Sequence, residues 1–125
     1  MCIILKYEKM HEDELLALLK KDPDWNSFTS EVAVEKFRDA LLNSESYICQ
    51  SNGVICGYIR ALIDSFGVYV SELYVAPQHR NNGYGRALLK KIKDSQPGGA
   101  VYVLSDEDAY YEKLGCKRIG SVFQL

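Results

Sequence analysis

Residues 72–92 read ELYVAPQHRNNGYGRALLKKI, and this stretch decides the fold of the 125-residue chain. Its pattern predicts the end of a strand, a polar loop over residues 79–85 and the start of a helix. Such a loop exposes successive backbone N–H groups at a helix N-terminus, where the partial positive charge attracts a phosphate or pyrophosphate. Because glycine has no Cβ, Gly83 and Gly85 let the backbone come close to such an anion.

The cations around this loop favour an anionic nucleotide, although a glycine pair before a helix also occurs in ordinary loops. Arg80, Arg86 and Lys90 would add positive charge near the phosphates. The third glycine of the dinucleotide fingerprint is missing, because residues 83–88 read GYGRAL, and the G-K-[ST] of the P-loop is absent. A nucleic-acid patch is disfavoured, since no aromatic ladder accompanies the loop and the net charge is −2.

Outward from the loop, the chain alternates between strand-like and helix-like segments. Upstream, two β-prone runs meet at Asn52-Gly53, a strong hairpin signal, and a third run ends before Pro77. Three consecutive antiparallel strands are therefore predicted, unlike the βαβ units that carry dinucleotide sites. The predicted elements are a strand at 3–7, a helix at 12–21, a helix from about 30 to 41, strands at 47–51, 54–63 and 68–75, a helix ending near 97, a strand at 100–104, a short helix at 107–114 and a strand at 117–125.

A second motif lies downstream, where residues 110–116 read YYEKLGC. With the loop, it resembles the GCN5-related N-acetyltransferase (GNAT) superfamily. Motif A of that family has Arg or Gln, two residues, Gly, any residue, then Gly or Ala, and Arg80, Gly83 and Gly85 match it. Residues 110–116 are similar to motif B, an aromatic-Tyr pair followed by a helix end and Gly-Phe.

The resemblance implies an α/β (α+β) fold over almost the whole chain, with residues 1–125 as one domain. The sheet would be mixed, mostly antiparallel and twisted, with six or seven strands and helices on both faces. Its fourth and fifth strands would splay apart around coenzyme A. The implied activity is that of an N-acetyltransferase, which passes the acetyl group of acetyl-coenzyme A to a primary amine by direct transfer in a ternary complex. The alternative is a non-catalytic sensor that binds acetyl-coenzyme A or coenzyme A with the same fold.

For the cosubstrate, the resemblance assigns two stretches of backbone. The strand residues Leu73, Tyr74 and Val75 would hold the pantetheine and acetyl groups. Amides of the loop would hold the pyrophosphate. The loop residues in this role are Arg80, Asn81, Asn82, Gly83, Tyr84, Gly85 and Arg86.

Two catalytic residues follow from the same comparison. Tyr111 occupies the place of the family's tyrosine, and a phenol can donate a hydrogen bond to the departing sulfur; Tyr110 is assigned to the core. Glu72, on the strand that enters the loop, is the candidate base, although a solvated surface role is equally open. Strand alternation sets Glu72 opposite Leu73, unless the bulge expected here reverses the parity. Tyr69 lies near the place of the strand acid of histone-modifying relatives.

Two departures from the family pattern concern the second half of the site. Cys116 replaces the usual phenylalanine, and Leu104 stands where an asparagine often contacts the coenzyme. Ser105 or Asp106 would then supply that contact. Substrate choice is expected in the early helices and in the loops around Trp25 and Asp64. The acidic residues that could face a cationic acceptor are Asp64, Glu72, Asp106, Glu107 and Asp108.

Composition excludes several other classes of protein. Four scattered cysteines without a C-x-x-C pair favour reduced thiols over a disulfide framework, and no metal site is expected. Apolar runs are too short for a membrane span, so a soluble, cytoplasmic protein is predicted. The expected partner is a small-molecule or peptide amine, with neither nucleic acid nor membrane. Dimers are frequent in the family, which leaves a homodimer open.

Overall fold

The computed structural model describes residues 1–125 and contains one sheet with the strand order β1-β2-β3-β4-β5. The first four strands pair antiparallel, and β5 runs parallel to β4. The strands are β1 (Ile3–Lys6), β2 (Glu45–Ser51), β3 (Val54–Ile63), β4 (Val68–Val75) and β5 (Val101–Val103). The helices are α1 (Glu12–Lys20), α2 (Asn26–Thr29), α3 (Val34–Asn43), α4 (Tyr84–Ser95) and α5 (Asp108–Lys113), with 3-10 turns at Lys9–His11, Pro23–Trp25 and Pro77–His79. No helix is long and apolar enough to cross a membrane.

The predicted hairpin is confirmed in detail. Asn52 and Gly53 both have positive φ, 53° and 78°, as the two central residues of a type I′ turn require. The third predicted strand, Val68–Val75, has the predicted bounds. The sheet therefore grows outward from a turn that local sequence alone specifies.

Helices cover both faces of the sheet, as predicted, and each face has its own core. On one face α1 and α3 pack against β2 and β3, because their apolar residues recur at helical spacing. On the other face α4 places Leu88 and Ile92 against Ile59 and Val70. The sheet thus separates a surface built by the early helices from a surface built by the helix after the glycine loop.

A bulge in β4 changes which face its side chains meet. Arg60 pairs with Glu72 and Ala61 pairs with Val70, so Ser71 is left without a cross-strand partner. Val70 lies in the core beneath α4, and Leu73 packs against that same core although it is three positions away. Strict alternation would place them on opposite faces. The bulge that the sequence analysis expected therefore exists, and it reverses the parity of the strand.

The predicted strand at residues 117–125 is wrong, and the sheet has five strands instead of six or seven. Residues 117–125 have no regular structure, and the side chains of Ile119, Val122 and Phe123 are exposed. The apolar residues of this stretch are Ile119, Val122, Phe123 and Leu125, and since all four side chains are exposed, no face of the stretch is buried as a strand of this sheet would require. Without a buried face, the stretch gains little from pairing with the short edge strand β5.

Gly57 is a point where two strands approach closely, and it allows a stability test. A Cβ on Gly57 would stand 2.5 Å from the carbonyl oxygen of Tyr74, whereas a Cβ on Gly120 would meet nothing within 4 Å. We expect Gly57→Ala to lower the free energy of unfolding by about 1 to 3 kcal/mol, measured by urea denaturation. The control Gly120→Ala should change it by less than about 0.5 kcal/mol. Equal stabilities for the two variants would contradict this packing.

Candidate active site

The glycine loop turns into α4 through left-handed backbone. Asn81 has φ of 66° and Gly83, the residue that precedes the helix, has φ of 81°. Residues 81–86 donate no backbone hydrogen bond to other protein groups, whereas Ala87 already donates to the carbonyl of Gly83. A cluster of free N–H donors therefore lies at the positive end of a 12-residue helix, which is the arrangement that binds phosphate groups.

Gly85 marks a close approach between this loop and α5. A Cβ on Gly85 would collide with the hydroxyl of Tyr110 and would contact the side chain of Leu73. The hydroxyl of Tyr110 therefore lies between the first turn of α4 and strand β4. The sequence analysis assigned Tyr110 to the core, but the side chain is partly exposed. In the sequence, the only sign of this contact is that Gly85 is small and Tyr110 is large. No local pattern shows that the two residues meet.

Beyond Val70, strand β4 has an open edge on the side of β5. Pairing between the two strands covers only Val68–Val70 with Val101–Val103. Since the amide of Ala76 donates to Cys56 of β3, alternation turns the backbone groups of Leu73 and Val75 away from β3, toward the gap. The two strands thus separate where the sequence analysis expected them to separate.

Arg80 occupies part of this open edge. Its Nε donates to the carbonyl of Val75 at 2.8 Å, and its guanidinium lies 5.8 Å from the ring centre of Tyr74. The side chain therefore satisfies a carbonyl that has no strand partner. Arg80 links the strand edge to the start of the loop.

Glu72 is buried on the face opposite α4 and is fully engaged. Its two carboxylate oxygens accept hydrogen bonds from Arg60 at 2.8 and 2.6 Å, and the hydroxyl of Tyr58 donates to it at 3.1 Å. Arg60 also donates to the hydroxyls of Ser44 and Ser71, each at 3.1 Å. The hydrogen bonds that Arg60 donates to Glu72 raise the pKa of Arg60, and burial raises the pKa of Tyr58 well above its usual value. This network fastens the bulge to β3.

The rings of Tyr111 and Tyr110 are in an edge-on arrangement, with their centres 5.2 Å apart. Burial is the largest cause that raises the pKa of Tyr111, and the negative charges of Asp106 and Glu107 raise it further. Its hydroxyl makes no hydrogen bond within the protein. Tyr111 therefore keeps its proton at neutral pH and has a free donor.

Two of the other four acidic candidates are already paired. Asp64 accepts from the amides of Phe66 and Gly67, which closes the loop between β3 and β4. Asp108 pairs with Ser105 and Arg118. These partners leave Asp106 and Glu107, near Tyr111, as the carboxylates with no such partner.

The side chains at the two positions that depart from the family pattern contribute no packing here. Leu104 donates its amide to Val70, and its side chain is exposed. Cys116 is also exposed. The proposed substitute Ser105 is engaged with Asp108 and with the amide of Glu107.

Comparison with solved structures finds the same architecture in several acetyltransferases. The enzyme AAC(6')-Iy, in complex with the bisubstrate analogue CoA-S-monomethyl-acetylneamine, superimposes with a TM-score of 0.79 at 19% identity, covering 100% of this chain and 97% of that one. A GNAT family acetyltransferase from Streptococcus pneumoniae gives 0.75 at 22% identity, with coverages of 100% and 98%. A ribosomal-protein-alanine N-acetyltransferase from Brucella melitensis gives 0.75 at 15%, also with 100% and 98%. These similarities establish the fold. A comparison with curated protein sequences finds no match.

The family follows from a model of the acetyltransferase (GNAT) domain, which matches residues 43–117. The matched region holds the hairpin, the bulged strand, the glycine loop and both tyrosines of α5. The match confirms the predicted acetyltransferase enzyme with acetyl-coenzyme A as its cosubstrate. This chain belongs to the GNAT family of acetyltransferases.

Proposed function

We propose that this protein transfers the acetyl group of acetyl-coenzyme A directly to a primary amine within a ternary complex. The observation that carries the proposal is the meeting of two unsatisfied backbone surfaces. The free amides of residues 81–86 lie next to the open edge of β4 at Leu73 and Val75. One surface suits a pyrophosphate, and the other suits an extended chain with amide groups.

In this proposal, the loop residues 80–86 bind the pyrophosphate and Leu73–Val75 bind the pantetheine arm like an added strand. Arg80 would leave the carbonyl of Val75 as the arm enters, and its guanidinium would turn to the phosphates. Tyr110 would line the arm, since its hydroxyl lies between Gly85 and Leu73. The positive end of α4 and Arg86 add charge complementarity.

The chemical step needs three groups. A neutral amine attacks the thioester carbonyl carbon, and a backbone N–H near Val75 stabilises the oxyanion. As the carbon–sulfur bond breaks, the nitrogen releases one proton to water and the sulfur takes one up, while Tyr111 donates a hydrogen bond to the sulfur, so that the products are an amide and a thiol. Because the raised pKa makes Tyr111 a weak acid, its contribution is mainly a strong hydrogen bond.

A sensor that binds the same cosubstrate without turnover is the second candidate. The free hydroxyl of Tyr111 and the uncovered face opposite α4 favour the enzyme, because a sensor needs neither. A panel of amines assayed for thiol release separates the two. Binding of acetyl-coenzyme A without turnover of any amine would support the sensor.

The first functional prediction concerns Gly83, for which the chain offers a matched control. Gly83 and Gly98 both have φ of +81°, and a Cβ at either would meet nothing within 4 Å. We expect Gly83→Leu and Gly98→Leu to destabilise the protein similarly, by about 1 to 2 kcal/mol of backbone strain. Only Gly83→Leu should weaken acetyl-coenzyme A binding, by at least about tenfold in calorimetry, because its side chain would fill the phosphate's place. If both variants bound normally, the loop would not be the cosubstrate site.

The second prediction separates the neighbouring tyrosines. We expect Tyr111→Phe to lower kcat about tenfold or more with little change in the Kd for acetyl-coenzyme A, since the ring keeps its packing. Tyr110→Phe should instead raise that Kd, because its hydroxyl lies in the cleft. Single-turnover rates and calorimetry measure both. A Tyr111→Phe enzyme with the parent's single-turnover rate would assign Tyr111 to packing.

The general-base hypothesis for Glu72 stays a prediction, and its contacts allow a sharp test. Glu72→Gln leaves the buried Arg60 without a counter-charge, so we expect a loss of about 3 kcal/mol in unfolding free energy. The double variant Arg60→Gln/Glu72→Gln should recover part of that loss. Since both carboxylate oxygens are engaged, we expect the acidic limb of the kcat/KM profile to stay in place. A shift of the acidic limb of the kcat/KM profile in the Glu72→Gln variant would identify Glu72 as the base.

A further inference from the structure

Three side chains form a continuous apolar row on the face of the sheet opposite α4. Leu62 pairs with Tyr69 across β3 and β4, and Tyr69 pairs with Tyr102 across β4 and β5. The sequence neighbours of these residues lie in the core beneath α4, so alternation directs all three to the other face. We call Leu62, Tyr69 and Tyr102 the apolar row.

The apolar row is uncovered. Leu62, Tyr69 and Tyr102 are 48%, 40% and 36% exposed, although residues of this size in a sheet are usually packed. The two tyrosine rings stack with their centres 5.5 Å apart and their planes 23° from parallel. The helices α1–α3 cover only the other half of this face, over Tyr58 and Tyr74. Side by side on three strands, these exposed side chains form a candidate contact surface for a ligand.

A depression extends the row at its Leu62 end. It has a volume of about 370 Å³, and Ser44 on its wall bonds to Arg60. Its lining residues are Leu42, Asn43, Ser44, Glu45, Leu62 and Ile63. Ligand groups of modest size fit in a space of this order. The depression and the row therefore form one surface beside the Arg60–Glu72 pair.

The row also has a defined position relative to the proposed reaction. Tyr69 and Tyr102 form one of the last rungs before β4 and β5 separate. Tyr69 precedes the bulge at Ser71 by two positions, roughly 7 Å along a strand. Because the glycine loop and α4 lie on the other face, a nucleophile that enters from the open face passes the row. The open edge of β4 begins beyond Val70, so an amine joined to the ring through a short linker would reach that edge at its Leu73 end.

The charges near the row favour an acceptor with an apolar body over a polycation. Asp64 closes its own loop and Glu72 is bound to Arg60, so neither carboxylate is free for a second amine. Asp106 and Glu107 lie near Tyr111, where a single ammonium group would arrive. A site whose free carboxylates lie near Tyr111, with the apolar row beside them, is complementary to a monoamine that carries an aromatic or aliphatic substituent.

We propose that the apolar row selects the acceptor, and that this acceptor is a primary amine joined through a short linker to an aromatic or large apolar group. The inference rests on the proposed acetyltransferase function and specifies its substrate class. Two sources present this chemistry: a small arylalkylamine and a peptide whose first residue is aromatic. The faces of Tyr69 and Tyr102 would pack against the ring, while the amine reaches the bulge.

The test compares kcat/KM for phenethylamine and for n-butylamine at saturating acetyl-coenzyme A. We expect the parent to prefer phenethylamine, and Tyr69→Ser and Tyr102→Ser each to reduce that ratio about fivefold or more, mainly through KM. Phe123→Ser is the matched control, because Phe123 is an exposed aromatic residue of the irregular stretch 117–125, and the ratio for this variant should match the parent's. A third acceptor, a Phe-Ala-Ala peptide with a free amino terminus, identifies the source of the ring.

The outcomes separate this inference from the proposed function. Higher kcat/KM for the peptide than for phenethylamine supports a peptide acceptor, and the reverse supports a small amine. If amines are acetylated but the parent prefers n-butylamine, or if the row variants keep the parent's ratio, the inference is overturned. If acetyl-coenzyme A does not bind, the proposed function itself fails. Thermal unfolding of each variant confirms that the protein compared is folded.

Discussion

The bulge at Ser71 is the constraint on which the site depends. It lets Val70 and Leu73 share one face, so that β4 contributes to the core beneath α4 on both sides of the irregularity. Arg60 stabilises this geometry, because its guanidinium bonds to Ser71 and to both oxygens of Glu72. Buried charges persist only when they are paired and hydrogen-bonded. The Arg60–Glu72 pair therefore maintains the point at which the sheet opens.

The two backbone surfaces of the site lie beyond the bulge along the chain. Strand β4 continues past its last partner in β5 and presents unpaired polar groups, one of which Arg80 covers. The loop that comes next enters α4 through left-handed backbone at Gly83 and leaves its amides free. Unsatisfied backbone groups are costly when they are buried, so both surfaces favour a ligand that supplies the missing partners. The proposed cosubstrate site is thus built mostly from backbone.

The two faces of the sheet have different roles in this arrangement. In the proposed function, the face of α4 carries the donor side, where phosphate binding requires free amides and positive charge. The opposite face is covered only in part, over Tyr58 and Tyr74, and leaves Tyr69 and Tyr102 in contact with solvent. In the proposed function, donor and acceptor approach the gap between β4 and β5 from opposite faces of the sheet. This geometry is suited to direct transfer in a ternary complex.

The sequence by itself determined the elements whose signals are local. Asn52-Gly53 specifies its turn through backbone conformation, and the spacing of Arg80, Gly83 and Gly85 identifies the loop and the family. The strand expected at residues 117–125 did not form, since pairing depends on a neighbouring edge and a buried face that local propensity does not report.

Tertiary structure alone decided which groups meet. It paired Glu72 with Arg60, twelve residues away in sequence, and turned a candidate base into an engaged carboxylate. It also brought the hydroxyl of Tyr110 to Gly85 and placed Tyr69 against Tyr102. Contacts of this kind depend on strand register and on the packing of distant elements. Those are global properties of the chain, and they are absent from any single stretch of its sequence.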